Sequence, residues 1–289
     1  PSRGRVSNAP AGEGWGGLSV QHAVTRSVRD SATLLDIACQ PQPGDPYWQA
    51  PPATPFAAEV GRDPGRLRIA FSTEALTWGT MDPACATAVR EAAALCDSLG
   101  HHVEEARPDL DYLAMAEAVN MLVSPAIATT LQLEAQRRGR AIEPGEVETL
   151  SWLIAENGGK ATAVEMAIAQ QKLNVFARGM AAFFLKYDVL ILSTLGSPPV
   201  PLGHMDTNAE DLSDYAEKLY GFMPNTQLFN AGGQPAMSVP LGMSEDGLPI
   251  GVMFAAATGD EATLFRLAGQ LETAAPWAAR RPAPGRASG

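Results

Sequence analysis

The sequence has 289 residues, 46% of them hydrophobic and 18% charged, which is enough apolar content for one large domain or two small ones. The formal net charge of −11 repels phosphate backbones and anionic lipid heads, arguing against nucleic acid and membrane surfaces as partners. The 27 glycines and 23 prolines fit a globular chain rich in turns better than a disordered or coiled-coil one.

Residues 1–26 are Gly-rich and lack a clear period, which predicts loop with short extended pieces. Ser27 is then a plausible N-cap and Asp30 sits near the positive end of a helix that Pro41 terminates. Seven prolines between 41 and 66 predict a surface connection, readable either as a domain boundary or as a long crossover. The run Leu67–Phe71 alternates like a strand. Asp82-Pro83 opens a helix that runs to Leu99, with Gly100 as its left-handed C-terminal residue. His101 to Arg107 reads as a second strand, and such a unit favours a parallel pair with a right-handed crossover.

Residues 111–187 read as mainly helical. Pro125 is expected to kink or split the stretch Asp111–Arg138, because it lacks the N–H and clashes with the preceding turn. A further helix is expected over Glu146–Glu156. Another opens at the capping-box pattern Thr162–Glu165 and runs towards Phe184. The apolar run Val189–Leu192 suits a strand covered on both faces. Residues 197–230 read as loop with a short helix near Glu210–Leu219. Ala236–Pro240 and Pro249–Ala256 form a hairpin around the turn Ser244–Gly247, and Asp260 caps a final helix to about Ala274.

The three cysteines, Cys39, Cys85 and Cys96, are odd in number and lack C-x-x-C spacing, so they read as reduced small apolar residues of a cytoplasmic protein. No stretch approaches the ~18 continuous apolar residues of a membrane span, and no signal peptide is recognisable. The first residue is Pro1 rather than Met, which predicts a processed or partial chain. His101 and His102 are adjacent on a strand and point to opposite faces, so they cannot readily ligate one metal. His22 and His204 read as surface residues, and no metal site is expected.

One segment carries weight: Phe229-Asn230-Ala231-Gly232-Gly233-Gln234-Pro235-Ala236-Met237-Ser238-Val239-Pro240-Leu241-Gly242, continued by Gly247-Leu248-Pro249-Ile250-Gly251-Val252. Its paired glycines and small residues describe a strand tucked against something tight. This run resembles the C-terminal region of amidase-signature enzymes. Three further segments, in the same order, resemble that family. They are Pro1-Ser2-Arg3-Gly4-Arg5-Val6-Ser7, Thr25-Arg26-Ser27-Val28-Arg29-Asp30 and Tyr187-Asp188-Val189-Leu190-Ile191-Leu192-Ser193-Thr194. The first lacks the family's leading Lys, and Ser193 stands where Pro is frequent. Within the family, the Pro-rich 41–66 region and the ending Pro276-Trp277…Arg280-Arg281-Pro282 look most like the 6-aminohexanoate-cyclic-dimer hydrolase group.

The resemblance implies an α/β fold with a mixed, largely parallel sheet flanked by helices, incomplete because its N-terminal part is missing. It makes residues 1–289 the C-terminal part of one amidase domain, with 276–289 as a tail. It implies hydrolysis of a C–N bond by a Ser–cis-Ser–Lys triad. A neutral Lys is the base, the middle Ser relays the proton and the second Ser attacks the carbonyl, with no metal or organic cofactor. The family's G-G-S-S-G-G-S segment does not occur in these residues, so no catalytic residue is assigned and the nucleophile is expected upstream of Pro1. Expected partners are a small-molecule amide and the complementary N-terminal part of the same protein, and a homodimer is compatible with this reading. The expected substrate wall is the helix around Pro125, with Asn120, Val123, Ser124 and Ile127, together with Asn230 beside the Gly pair. By itself the chain is expected to be inactive. Two alternatives stay open at this point: a non-catalytic amidase-like binding module, and an amidotransferase subunit acting in a complex.

Overall fold

The apolar run at 189–193 forms the centre of the molecule. In the computed structural model, which describes residues 1–209 and 211–281, strand β3 (Val189–Ser193) is buried at every position. Successive side chains on a strand point to opposite faces, and here both faces are covered. Val189 and Ile191 enter a core with helix α3 (Pro83–Ser98) and helix α9 (Glu261–Ala274). Leu190 and Leu192 enter a second core with α4 (Tyr112–Arg138), α6 (Ala163–Lys186) and α8 (Gln227–Gly232). Strand β1 (Arg68–Phe71) splits the same way, Ile69 to the first core and Ala70 to the second.

The strand order is β2-β1-β3-β5-β4, where β2 is His102–Glu105, β4 is Ala236–Met243 and β5 is Pro249–Ala256. β1 pairs in parallel with β2 and β3, while β5 runs antiparallel to both β3 and β4. The sheet is therefore mixed, as expected, with its parallel part confined to β2-β1-β3. Helix α3 makes the β1-to-β2 crossover, and α4 to α6 lie between β2 and β3. The β4–β5 turn uses Gly247 at φ +77°, with Gly247 N–H donating to the Ser244 carbonyl at 3.0 Å. The ladder slips between Val239 and Gly242, at Pro240, which has no N–H to donate.

Several helix starts follow their caps. Ser27 Oγ accepts from Asp30 N–H at 3.2 Å at the head of α1 (Val28–Ala38). The Asp82 carboxylate accepts from Ala84 N–H at 2.8 Å. Thr162 and Glu165 exchange both bonds of a capping box, at 3.2 and 2.8 Å.

Helix α4 is not split at Pro125: it continues as helix from Tyr112 to Arg138. Helix α5 (Thr149–Gly158) backs onto it there, so closely that a Cβ on Gly158 would lie 2.1 Å from the Ser124 carbonyl oxygen. Packing of this kind sustains a helix that proline would otherwise divide. An 18-residue window of α4 has mean hydropathy 1.2, so by length and composition alone this helix is long and apolar enough to cross a membrane. In this fold α4 packs against α5, α6 and α8.

Helix α5 starts three residues later than expected, because Glu146 folds back onto Glu143 N–H and Arg140 and closes a separate 3-10 turn at Pro144–Glu146. Two short helices fall where the sequence predicts loop. α2 (Phe56–Glu59) takes its cap from a distance, with Asp36 accepting from Phe56 and Ala57 N–H at 2.6 and 2.9 Å. α8 follows Asn225, which is fully buried and ties the loop after β1 to the end of β3. The helix expected from Glu210 is α7 (Leu212–Phe222). Glu210 itself, and residues 282–289 of the expected tail, lie outside the described residues.

Candidate functional site

The first five residues form no helix or strand; beside one backbone bond to the rest of the chain, from Arg3 N–H to the Gly233 carbonyl at 3.2 Å, side chains hold them. Ser2 N–H donates to Glu261 Oε1 at 2.7 Å, and Ser2 Oγ accepts from Gly259 N–H at 2.8 Å. Arg5 bonds Glu261 Oε2 at 3.1 Å, with both side chains under 5% exposed. Arg5 also reaches the Ala50 carbonyl at 2.6 Å. Arg3 donates to the carbonyls of Gly17, Asn230 and Ala231 at 2.5, 2.5 and 3.0 Å. Burial raises the Glu261 carboxyl. The Arg5 and Ser2 hydrogen bonds and the Arg5 charge outweigh it, leaving the group below its ordinary value.

Residues 16–18 join this strap to α4 and α8. Gly16 has φ +63°, and a Cβ there would lie 3.2 Å from Leu122 Cδ1. The Leu18 carbonyl accepts from Asn230 Nδ2 at 2.8 Å. Asn120, exposed on α4, donates from Nδ2 to the Tyr220 hydroxyl at 3.0 Å. Tyr220 sits on α7 and stacks on Trp78 with ring centroids 4.3 Å apart. Val123 packs at the margin of the α4–α6–α8 core.

Residues 16–18 thus touch Leu122 of α4 and Asn230 of α8, whereas Asn120 meets Tyr220 of α7 and Val123 packs on the α4–α6–α8 core. Ser124 is different: its backbone is the seat of Gly158, so it belongs to the α4–α5 contact. Ile127 lies further along α4, half-buried. The sequence does not point to Tyr220 or Trp78 beside Asn120, nor to Arg3 beside Asn230. The only signal for Arg3 was the motif around it.

A groove of about 520 Å³ runs beside β4, lined by Pro1, His22, Ser27, Ser238, Pro240 and Trp277 among others. Ser238 Oγ and Thr194 Oγ1 bond each other at 2.7 Å. Pro1 faces this groove while Arg3 holds the α8 side, so the strap bridges the two.

Several other titratable groups have structural explanations. His101 is buried, accepting from Leu67 N–H at Nδ1 and pairing with Gln270 at 2.8 Å, while His102 is exposed. Burial pushes the Cys96 thiol up to about 12, far from a reactive thiolate. Lys172, Lys186 and Lys218 each have a carboxylate within 3.4 Å. The Lys186 ammonium is raised above its ordinary value by its bonds to Tyr187 and Glu104, the wrong direction for a neutral base. Among the described residues, no group of three His, Cys, Asp or Glu could hold a metal ion.

The amidase family model matches residues 1–265. The chain is 34% identical over 293 residues to 6-aminohexanoate-cyclic-dimer hydrolase of Paenarthrobacter ureafaciens, covering 98% of this chain and 59% of the relative. It is 34% identical over 288 residues to the putative amidase AmiB2 of Mycobacterium tuberculosis, covering 98% and 58%. A solved structure of 6-aminohexanoate cyclic dimer hydrolase superposes with TM-score 0.90 at 33% identity, over 98% of this chain and 61% of that one. A bacterial aryl acylamidase shares the fold at TM-score 0.77 and 18% identity. The chain thus spans about 60% of the length of the relatives it matches. The family match, the strand order and the motif segments agree: the chain belongs to the amidase-signature family.

Proposed function

We propose that this chain is the C-terminal part of an amide hydrolase that works through a Ser–cis-Ser–Lys triad, contributing scaffold and substrate-cavity wall. On this reading the triad lies on polypeptide that precedes Pro1 in the complete protein. The supporting observation is the placement of the strap, with Pro1 at the β4 groove and Arg3 bonded to the Asn230 carbonyl. Polypeptide entering before Pro1 is then delivered between the sheet edge and α8. Asn120, Val123 and Asn230, with Tyr220 and Trp78, form the facing wall, and the substrate is a small-molecule amide. The likeness to hydrolases named for the 6-aminohexanoate cyclic dimer favours aliphatic amides, cyclic ones included.

The test is an assay of the protein expressed with its upstream reading frame, against linear and cyclic aliphatic amides. Hydrolysis by the longer protein and none by residues 1–289 alone is the expected result. Turnover by residues 1–289 alone, or a longer protein inert on the whole panel, overturns the reading.

A further inference from the structure

The strap at residues 2–5 is held more firmly than a surface loop requires. It has no ladder of backbone bonds, yet Ser2 is fully buried and Glu261 is 3% exposed. Glu261 opens α9, where the helix dipole favours a carboxylate. Its two oxygens take different partners, Ser2 N–H at 2.7 Å and Arg5 Nη2 at 3.1 Å. Arg5 Nη2 also lies 3.3 Å from the Gly259 carbonyl. Gly259 in turn donates its N–H to Ser2 Oγ. The result is a closed ring: Ser2, Glu261, Arg5, Gly259 and back to Ser2. Gly4 takes φ +77° within it, and a Cβ there would lie 2.8 Å from Tyr47 Cβ. Turning the chain at Gly4 places Arg3 and Arg5 on separate anchors.

A buried ion pair is weak as a source of stability, since an apolar pair of the same volume serves as well. It is strong as a source of one defined geometry, because each partner accepts only certain directions. Reacting groups must be held to within about 0.5 Å, and their supports must themselves be locked. In a strap without secondary structure, bonds of this kind, with the one backbone bond from Arg3 N–H to the Gly233 carbonyl, meet that demand.

We infer that Glu261, acting through Ser2 and Arg5, is a positioning residue that fixes the strap and so the reacting segment that precedes Pro1. The inference rests on the proposed amide hydrolysis and adds to it a residue on the far side of the sequence from the nucleophile. Glu261 touches no substrate, and it acts only on where the strap begins.

The experiment uses the full-length protein and compares wild type with Glu261→Gln. Glutamine keeps an acceptor for Ser2 N–H and removes the ion pair. Active serines are counted by labelling with a fluorophosphonate probe, and turnover is expressed per labelled site. A positioning role predicts kcat per site down by about tenfold or more, since sub-ångström misplacement is costly, with KM within about twofold. A purely structural role lowers the melting temperature and the labelled fraction but leaves kcat per site unchanged, and that result overturns the inference. Glu261→Asp is the second variant, for use if Glu261→Gln does not fold. It keeps the charge but draws the carboxylate back from Ser2 N–H and Arg5, and the same fall in kcat per site at unchanged KM is expected. If wild type hydrolyses no amide, the underlying functional reading fails, and the positioning role falls with it.

Discussion

The two edges of the sheet are built differently. β2 is four residues long and carries His102, Glu104 and Glu105. Glu104 accepts from the Tyr187 hydroxyl and lies 3.4 Å from Lys186 Nζ. A short edge dressed in charge resists pairing with another strand. β4 is eight residues long, Ala-Met-Ser-Val-Pro-Leu-Gly-Met, with no charge and a groove beside it. Long apolar edges in natural proteins are covered. β2 is therefore finished as an outer edge, whereas β4 has the composition of an inner strand. This supports placing the upstream part of the protein against β4.

The largest expected effect is on the whole chain. Residues 1–289 expressed alone should self-associate and bind a hydrophobic dye, and co-expression with the upstream part should suppress both. Size-exclusion chromatography with dye titration measures this. A monodisperse, cooperatively melting product of residues 1–289 would place β4 on the same footing as β2 and break the comparison.

Between the edges the sheet should respond as a normal core. Ile191 is fully buried in the α3–α9 core, so Ile191→Ala should cost about 2–5 kcal/mol in denaturant unfolding of the full-length protein. A cost well below that range would mean the centre is as loosely held as an edge.

Much of this architecture was legible because its determinants are local. The two-faced run at 189–193 needs no context beyond strand periodicity. The caps Ser27, Asp82 and Thr162 act within three residues of themselves. What escaped was supplied from far away. Asp36 caps α2 from 20 residues off, and Gly158 is the α5 seat against the Ser124–Pro125 backbone. The site divides in the same way. Asn120 and Asn230 could be named from a proline and a glycine pair nearby. Tyr220 meets Asn120 across 100 residues, and Glu261 meets Arg5 across 256. No spacing rule on a single sequence joins such pairs.

The proposed cavity wall gives an intermediate effect. Tyr220→Phe removes the acceptor of Asn120 Nδ2 while keeping the ring against Trp78. In the full-length enzyme it should shift the ratio of kcat/KM between a cyclic and a linear amide severalfold, since a lost hydrogen bond costs about 0.5–1.5 kcal/mol, with little change in melting temperature. Asn120→Ala should shift the ratio in the same direction. Unchanged ratios for both variants would remove these residues from the wall.

The smallest effect belongs to the finished edge. Glu104 is held below the usual carboxylate range, first by the Tyr187 hydroxyl and then by Lys186. A depressed carboxylate contributes stability above its unfolded pKa and loses it as pH falls through the folded one. Glu104 is open to solvent, so screening keeps that contribution small. Glu104→Gln should therefore leave the melting temperature of the full-length protein nearly unchanged at pH 7. Whatever small difference from wild type exists there should vanish as the pH is lowered through the depressed Glu104 value, because both side chains are then uncharged. The substitution also removes a charge from β2, so it asks whether charge is what keeps this edge solitary. New self-association of the full-length protein on Glu104→Gln would show that it is. Its absence would leave the protection to Glu105 and to the four-residue length of the strand.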